Sequence, residues 1–304
     1  MGAAQLIEAD ETGREGAATH LYTDQLLDEA AVDALHYHTV SYDKTATEHN
    51  VAMAEEMFGD ILPVKACGSL LWLALWDRIV FWRGAEKVLY SLIDEPELLH
   101  RLMTKLVDIE NDYIDQLEAQ NLLFCDPGAV CHCMETYVDE PYQPGFDPEY
   151  IRTCDCWVSG AAQIFSEVSP VMHDEFEIEY MKPLYERFGR VNYGCCEPLH
   201  NKIDIIRKIK NVRAISTSPW ADVYKTAEVM HGDYLMARKP NPSYVASGYV
   251  STDAVKREIR ETLKACRDNN TNVEFILKDI TTVNRRPECL TEWYELVKAE
   301  VENF

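Results

Sequence analysis

From about Leu21 onward the chain alternates between short apolar runs and longer amphipathic stretches with a helical period. Short apolar runs are typical of strands buried on both faces, and an intervening helix returns the chain so that the next strand runs in the same direction. The alternation therefore predicts βα units around a parallel sheet. About seven strands are predicted, close to the eight of a closed barrel. They lie at 60–65, 121–125, 162–166, 190–194, 212–216, 233–237 and 272–277.

The predicted fold class is α/β, a single (β/α)8 TIM-type barrel with an irregular N-terminal extension. Residues 1–20 mix Gly, Ala, Glu and Thr without a period, which predicts a flexible segment, and residues 21–304 are predicted to form the barrel domain. A chain of 304 residues suits one barrel. A long helix is predicted over about 86–120, with a break near Pro96, because proline cannot continue a helix. Further helices are predicted at about 200–209, 221–230, 252–269 and 288–300.

Charge and hydropathy exclude several function classes. The chain has 29 Lys and Arg against 52 Asp and Glu, a net charge of −23, which repels a phosphate backbone and argues against nucleic acid as a partner. No apolar run approaches the roughly 18 residues that cross a bilayer. Residues 1–16 carry acids and lack the apolar core of a secretion signal. A cytoplasmic protein with its 10 cysteines as thiols is therefore expected.

Polar or thiol-bearing residues follow every predicted strand. In a β/α barrel the active site lies at the carboxyl ends of the strands, so these groups are expected to meet at one rim. A single polar loop residue is weak evidence, and the convergence is what predicts a site. The main candidates are Lys65, Cys67, Asp126, Gln163, Ser166, Glu167, Cys195, Cys196, Glu197, Ser216, Ser218, Trp220, Asp222, Arg238, Lys239, Asn241, Lys278 and Asp279.

The segment 192–200, Asn-Tyr-Gly-Cys-Cys-Glu-Pro-Leu-His, is the most specific of these strand ends. Thiolate, imidazole and carboxylate are the usual zinc ligands, and a catalytic zinc takes three of them. Adjacent side chains point in different directions, so one of the two cysteines, together with Glu197, is a better pair of ligands than both cysteines. The alternative is a reactive or buried cysteine pair. Candidates for the third ligand are Asp279, Cys133, His132 and His200, and a separate cluster at Cys131, His132 and Cys133 is a weaker possibility.

Three other features have two interpretations. Lys239-Pro-Asn-Pro242 is a rigid loop that either anchors a substrate or forms a plain turn. Trp72, Trp76 and Trp82 either wall an aromatic pocket or pack a helix face into the core, and their nearly helical spacing favours the core. Cys154 and Cys156 are predicted on a helix, where residues two apart point to different faces, so a structural role is favoured.

Five motifs together resemble one branch of the uroporphyrinogen decarboxylase-like superfamily, the branch near the corrinoid-dependent methyltransferases. They lie at 163–172, 194–200, 215–222, 239–242 and 277–280. The resemblance extends from about Leu21 to the end of the sequence and implies a β/α barrel. It also suggests a homodimer.

The sequence departs from the superfamily pattern in two places. Its decarboxylases use an arginine-rich N-terminal motif, whereas residues 1–16 contain only Arg14, which argues against porphyrinogen decarboxylation. Its thiol methyltransferases hold zinc with a His-x-Cys pair and a later Cys. Here the pair reads Tyr193-Gly194-Cys195, and Lys278-Asp279 stand where the later Cys would be. The resemblance therefore implies a more oxygen-rich site, in which Glu197 and Asp279 replace the missing ligands.

The expected function is metal-dependent transfer of a methyl group between a methoxy- or methylthio-compound and a separate corrinoid protein that carries the cobalamin. Zinc would act as a Lewis acid. The alternatives are a metal-assisted decarboxylase or lyase acting on a small carboxylate, and a non-catalytic barrel that binds a ligand. The predicted site has Glu197, Asp279 and Lys278 as catalytic residues, Cys195, Cys196 and Glu197 as metal ligands, and Gln163, Trp220, Asp222, Lys239 and Asn241 as substrate-binding residues.

Overall fold

The structure, a computed structural model, describes residues 7–10, 19–37, 39–125, 130–131, 134–135 and 140–304. These ranges contain ten strands and twelve α-helices. The strands are β1 Ile7–Asp10, β2 Thr19–Tyr22, β3 Leu71–Leu73, β4 Val130–Cys131, β5 Met134–Glu135, β6 Trp157–Gly160, β7 Arg190–Tyr193, β8 Val212–Thr217, β9 Leu235–Arg238 and β10 Asn272–Phe275.

The helices lie mostly between strands, as βα units require. They are α1 Glu29–Asp33, α2 Lys44–Phe58, α3 Leu75–Arg83, α4 Ala85–Asp94, α5 Pro96–Ala119, α6 Pro170–His173, α7 Glu179–Tyr185, α8 Ile203–Ile206, α9 Val223–Met230, α10 Ser243–Ala246, α11 Thr252–Asp268 and α12 Glu288–Glu302. A π-helical turn, Asp174–Ile178, joins α6 to α7.

Six strands form one all-parallel sheet in the order β10-β9-β8-β7-β6-β3. Every neighbouring pair in the sheet is parallel, so the carboxyl ends of all six strands lie at the same edge. The predicted α/β class with a parallel sheet is confirmed. The predictions at 190–194, 212–216, 233–237 and 272–277 are also confirmed, and they correspond to β7, β8, β9 and β10. Two small antiparallel pairs, β1 with β2 and β4 with β5, stand apart from this sheet.

The predicted strand at 60–65 is wrong. Those residues follow the end of α2, and Ile61 and Leu62 are 71% and 62% exposed. The sheet strand is β3, which begins eleven residues after the predicted start and has Leu71 and Leu73 buried. The chain reaches β3 through Gly68, where a Cβ would stand 2.3 Å from the carbonyl oxygen of Leu123. The predicted strand at 121–125 makes only a single parallel bridge there, between Ser69 and Leu123.

The strand predicted at 162–166 is also misplaced. Residues Gln163–Phe165 form a 3-10 turn, and the sheet strand is β6, five residues earlier. All four residues of β6 are buried, so the strand shows no alternation of polar and apolar side chains that would mark it. The predicted helix around Cys154 and Cys156 is likewise wrong, because a 3-10 turn, Thr153–Asp155, leads directly into β6.

The helical predictions fare better. The break at Pro96 is confirmed: α4 ends at Asp94 and proline occupies the first turn of α5, where its missing N–H costs nothing. The core interpretation of Trp76 and Trp82 is confirmed, since both are buried on α3, and the Trp76 indole donates to the carbonyl of Phe176. Trp72 instead lies on β3.

Within the described ranges, no helix combines the length and apolar content that crossing a membrane requires.

Candidate active site

The loop after β7 is shaped by a glycine. Gly194 has φ +96°, a conformation that side chains disfavour, and a Cβ there would lie 2.4 Å from the Leu199 side chain. Its amide donates to the carbonyl of Gly160 at 2.7 Å, which ties the loop to the end of β6. This turn places the side chains of Cys195 and Cys196 at the carboxyl edge of the sheet.

The chain beyond β10 supplies the facing residues. Asp279 has φ +60°, which is uncommon for a residue with a side chain, and backbone strain of this kind is often found at functional sites. Lys278 Nζ lies 3.0 Å from Cys195 Sγ, 3.4 Å from Cys196 Sγ and 3.3 Å from Asp279 Oδ2. We call these four residues, Cys195, Cys196, Lys278 and Asp279, the thiol–lysine cluster. Its two halves are more than 80 residues apart in sequence.

The two thiols of the cluster contact each other. Cys195 Sγ and Cys196 Sγ are 3.5 Å apart, and Cys196 Sγ lies 3.7 Å from Asp279 Oδ2. The hydrogen bond with Cys195 and burial raise the pKa of the Cys196 thiol far above its usual value, and the Lys278 ammonium opposes this rise. Cys196 therefore keeps its proton at neutral pH unless a further cation favours its thiolate.

The cluster has the donor types that a zinc site needs. Two thiolates on one tetrahedral zinc are about 3.8 Å apart, close to the spacing of these sulfurs. As the side chains stand, no set of three or more His, Cys, Asp and Glu residues in the described ranges is arranged to hold a metal ion. The Lys278 ammonium already lies among the donors. The cluster thus fits zinc by donor type and sulfur spacing, and binding would require that Lys278 move aside.

Glu197, predicted as both metal ligand and catalytic residue, is fully buried and turns back into its own loop. Its Oε2 accepts the backbone N–H of Cys195 at 2.9 Å, while its Oε1 is buried without a hydrogen-bond partner. This bond fixes the backbone that carries the thiols. Glu197 thus lies behind the cluster, whereas Asp279 is the carboxylate beside the thiols.

A second group of polar side chains lines the sheet below the cluster. Ser216 Oγ donates to the carbonyl of Cys195 at 2.6 Å, and the Lys239 ammonium donates to the same hydroxyl. Ser159 and Asn192 stand opposite each other on β6 and β7, with Asn192 Nδ2 donating to Ser159 Oγ at 3.3 Å. All four side chains are buried, so the sheet holds a polar layer next to the thiols.

Gln163, Asp222 and Asn241 form hydrogen bonds with other residues of the chain, and Trp220 is exposed. Gln163 donates to Asp77 from its backbone and side-chain nitrogens, at 3.0 and 2.7 Å. Asp222 caps α9 by accepting the Lys225 amide, and Asn241 Oδ1 accepts the Ser243 amide. Trp220 is 71% exposed.

Several predicted candidates fall elsewhere. His200 Nδ1 lies 3.4 Å from the backbone amide of Asp222, the residue that caps the start of α9. Asp126, His132 and Cys133 lie outside the described residues, as do the side chains of Cys131 and Glu135.

Sequence reasoning missed Asp77 and Ser159. Asp77 follows the most apolar stretch of the chain, 68–76, and Ser159 lies within a fully buried strand. Both would have been found if β3 and β6 had been placed in those apolar runs, because the residues at and just beyond these strands would then have been examined.

The pKa of Asp77 is raised from 3.8 to about 6, first by burial and also by the nearby Glu197 charge, against hydrogen bonds from Gln163. When the pKa of a carboxyl is higher in the folded than in the unfolded state, the free energy of unfolding falls as pH rises from about 4 to about 6. The reason is that the unfolded chain ionises more readily than the folded one. Asp77→Asn is therefore expected to gain up to about 2 kcal/mol in unfolding free energy, relative to wild type, between pH 4 and pH 7. Gln163 can rotate its amide to remain hydrogen-bonded.

Urea unfolding of both proteins at several pH values measures this difference. A difference between the two proteins that stays constant from pH 4 to pH 7 would show that Asp77 is ionised freely in the folded state.

Comparison of the chain with protein-family models and with curated protein sequences found no match.

Proposed function

We propose that this protein is a metal-dependent methyltransferase that moves a methyl group between a small methoxy- or methylthio-compound and a corrinoid protein. The observation that carries the proposal is the thiol–lysine cluster. Two thiols, an ammonium and a carboxylate from two distant parts of the chain meet within 3.7 Å at the carboxyl edge of a parallel sheet. Active sites of barrel enzymes lie at this edge. We also propose that the sheet closes into an eight-stranded barrel, as the resemblance implies.

Zinc is the metal that suits two thiols and a carboxylate best, and Cys195, Cys196 and Asp279 are the residues that would hold it. Bound there, it would supply Lewis-acid stabilisation of negative charge on the substrate oxygen or sulfur. We propose a supporting role for Glu197, because its carboxylate fixes the backbone amide of Cys195. We therefore place Asp279, rather than Glu197, in contact with the metal.

The reaction needs a methyl acceptor that supplies an electron pair, and a proton donor for the leaving group. In the demethylating direction, the bond from the methyl carbon to the substrate oxygen or sulfur breaks, and its electron pair stays on that atom. The reduced corrinoid of the partner protein, as the acceptor substrate, supplies the pair for the new bond to carbon. The released anion then takes up a proton. We propose Lys278 as the donor, because its ammonium lies beside both thiols before zinc binds and would remain near the substrate after moving aside.

We place the reaction in the cytoplasm, with the corrinoid on a separate protein and the methyltransferase as a homodimer. The test combines the purified protein, zinc, a reduced corrinoid protein and a panel of methoxy- and methylthio-compounds. The expected result is conversion of the corrinoid to its methylated form, followed by its visible absorption spectrum. The demethylated compound should appear in equal amount by mass spectrometry.

The same assay separates the proposal from its alternatives. Absence of methyl transfer from every compound in the panel, with zinc present, would contradict the proposal. Release of labelled carbon dioxide from a carboxyl-labelled substrate, without any corrinoid protein, would identify a decarboxylase instead. The reaction mixture without zinc, prepared after dialysis against a chelator, is the control and is expected to be inactive.

A further inference from the structure

Lys239 is a buried cation without an anionic partner. It follows β9 directly, is 2% exposed, and its ammonium donates to the neutral hydroxyl of Ser216. No carboxylate of the described residues forms an ion pair with it. Burying a charged group is unfavourable unless it is paired, so such a lysine needs an anion from outside the chain or from a bound molecule.

Two buried arginines are paired with carboxylates, whereas buried Lys202 donates to two backbone carbonyls. Arg238, the preceding residue, donates to Glu258 Oε1 at 2.8 Å. Arg83 pairs with both Asp24 and Glu95. Lys239 points to the opposite face of β9 from Arg238, because successive side chains of a strand alternate. That face carries the polar layer below the thiol–lysine cluster.

A hydroxyl beside Lys239 is also unsatisfied. The register pairs Thr217 with Arg238 at the ends of β8 and β9, and the Lys239 amide donates to the Thr217 carbonyl at 2.9 Å, so the backbones of Ser218 and Lys239 follow next to each other. Ser218 Oγ is fully buried and has no hydrogen-bond partner. An ammonium and a free hydroxyl on neighbouring strand ends can together donate to the two oxygens of a carboxylate that lies between them.

We propose that Lys239 and Ser218 bind the carboxylate of the substrate, so that the substrate class is small methylated carboxylic acids. This inference rests on the proposed methyl transfer for its placement of the methyl group. Ser216 links Lys239 to the thiol–lysine cluster, because its hydroxyl contacts both the Lys239 ammonium and the carbonyl of Cys195. A short carboxylic acid held by Lys239 would therefore present its methylated oxygen or sulfur to the thiol–lysine cluster.

A carboxylate fits this position better than a phosphate. One ammonium compensates one negative charge, and the other lysine of the site, Lys278, already contacts two thiols and Asp279. The net charge of −23 further disfavours a dianion.

Binding is tested by calorimetry on the purified protein, with methoxyacetate and (methylthio)acetate as probes, and with methoxyacetamide and inorganic phosphate as comparisons. Wild type is expected to bind the two carboxylates at least about 10-fold more tightly than the amide or phosphate. Lys239→Met should lose at least about 10-fold in carboxylate affinity and leave amide binding unchanged. Ser218→Ala should lower the carboxylate affinity by a smaller factor than Lys239→Met does. Lys298→Met, an exposed lysine on α12, is the matched control and should bind as wild type.

Thermal unfolding without ligand provides a second measurement. Because Lys239→Met removes a buried unpaired charge, its melting temperature should equal or exceed that of wild type, and the carboxylates should raise the melting temperature of wild type but not that of Lys239→Met. Unchanged carboxylate affinity in Lys239→Met, failure of wild type to bind either carboxylate, or a lower melting temperature for Lys239→Met would overturn the proposal. Carboxylate binding that depends on Lys239, without methyl transfer, would leave this site standing and reject the proposed reaction.

Discussion

Replacing Cys196 with alanine is expected to lower the zinc affinity of the protein by at least about 100-fold, since even residues that only orient a zinc ligand cost about 10- to 100-fold when removed. Methyl transfer should fall with it. Cys196 is the thiol that contacts Cys195, Lys278 and Asp279 alike, so its removal leaves one sulfur beside the ammonium. Zinc affinity is measured by competition with a chelating dye, and zinc content by elemental analysis after dialysis.

Cys266→Ala provides the matched control. Cys266 is a free cysteine like Cys196, but it is buried on α11 and its sulfur contacts Met236 in the core. Its loss should cost some stability and leave zinc affinity unchanged. Equal zinc binding by wild type and Cys196→Ala would remove the thiol pair from the metal site. Equal loss in both variants would point to unfolding rather than to a lost ligand.

Gly160→Ala is expected to destabilise the fold by about 2–4 kcal/mol, a larger effect than most single overpacking changes. The new Cβ would stand 2.2 Å from the Tyr185 hydroxyl. That hydroxyl cannot easily move, because it donates to the Leu73 carbonyl at 3.0 Å and lies 3.0 Å from Glu177 Oε1. The substitution therefore forces either a backbone shift in β6 or the loss of buried hydrogen bonds.

Urea unfolding measures the change, and Gly232→Ala is the matched control. A Cβ at Gly232 would stand 3.1 Å from the amide nitrogen of the Asn270 side chain, which can rotate away. A cost below about 1 kcal/mol for Gly160→Ala would show that Tyr185 is free to relocate, contrary to its two buried contacts.

A buried network of tyrosines supports the carboxyl edge of the sheet. Tyr185 and Tyr193 both contact the carboxylate of Glu177, and Tyr193 also contacts His173 at 2.7 Å. Burial raises the pKa of both tyrosines well above the usual value, so both keep their hydroxyl protons. The network joins the helical layer to the strands that end at the thiol–lysine cluster. Loss of cluster geometry in Gly160→Ala would follow from this connection.

The sequence by itself determined the α/β class and the four strands from β7 to β10, because these strands alternate regularly with helices and each ends in recognisable polar residues. It also predicted that Cys195, Cys196, Lys278 and Asp279 belong to one site, because parallel strands place their carboxyl ends at one edge. The break at Pro96 followed from the chemistry of proline alone.

Only the tertiary structure decided which apolar runs enter the sheet. The run at 60–65 is as apolar as a strand, yet it is exposed, whereas all of β6 and both ends of β3 are buried. The tertiary structure also decided how the site is divided between its residues. The Glu197 carboxylate, predicted from the sequence as a ligand, accepts the backbone N–H of Cys195, while Lys278 lies among the thiols. The orientation of a side chain after a tight turn depends on contacts with distant strands, and local sequence does not encode these contacts. The lack of a carboxylate partner for Lys239 among the described residues likewise depends on which residues of the neighbouring strands surround it, and the tertiary structure alone shows these residues.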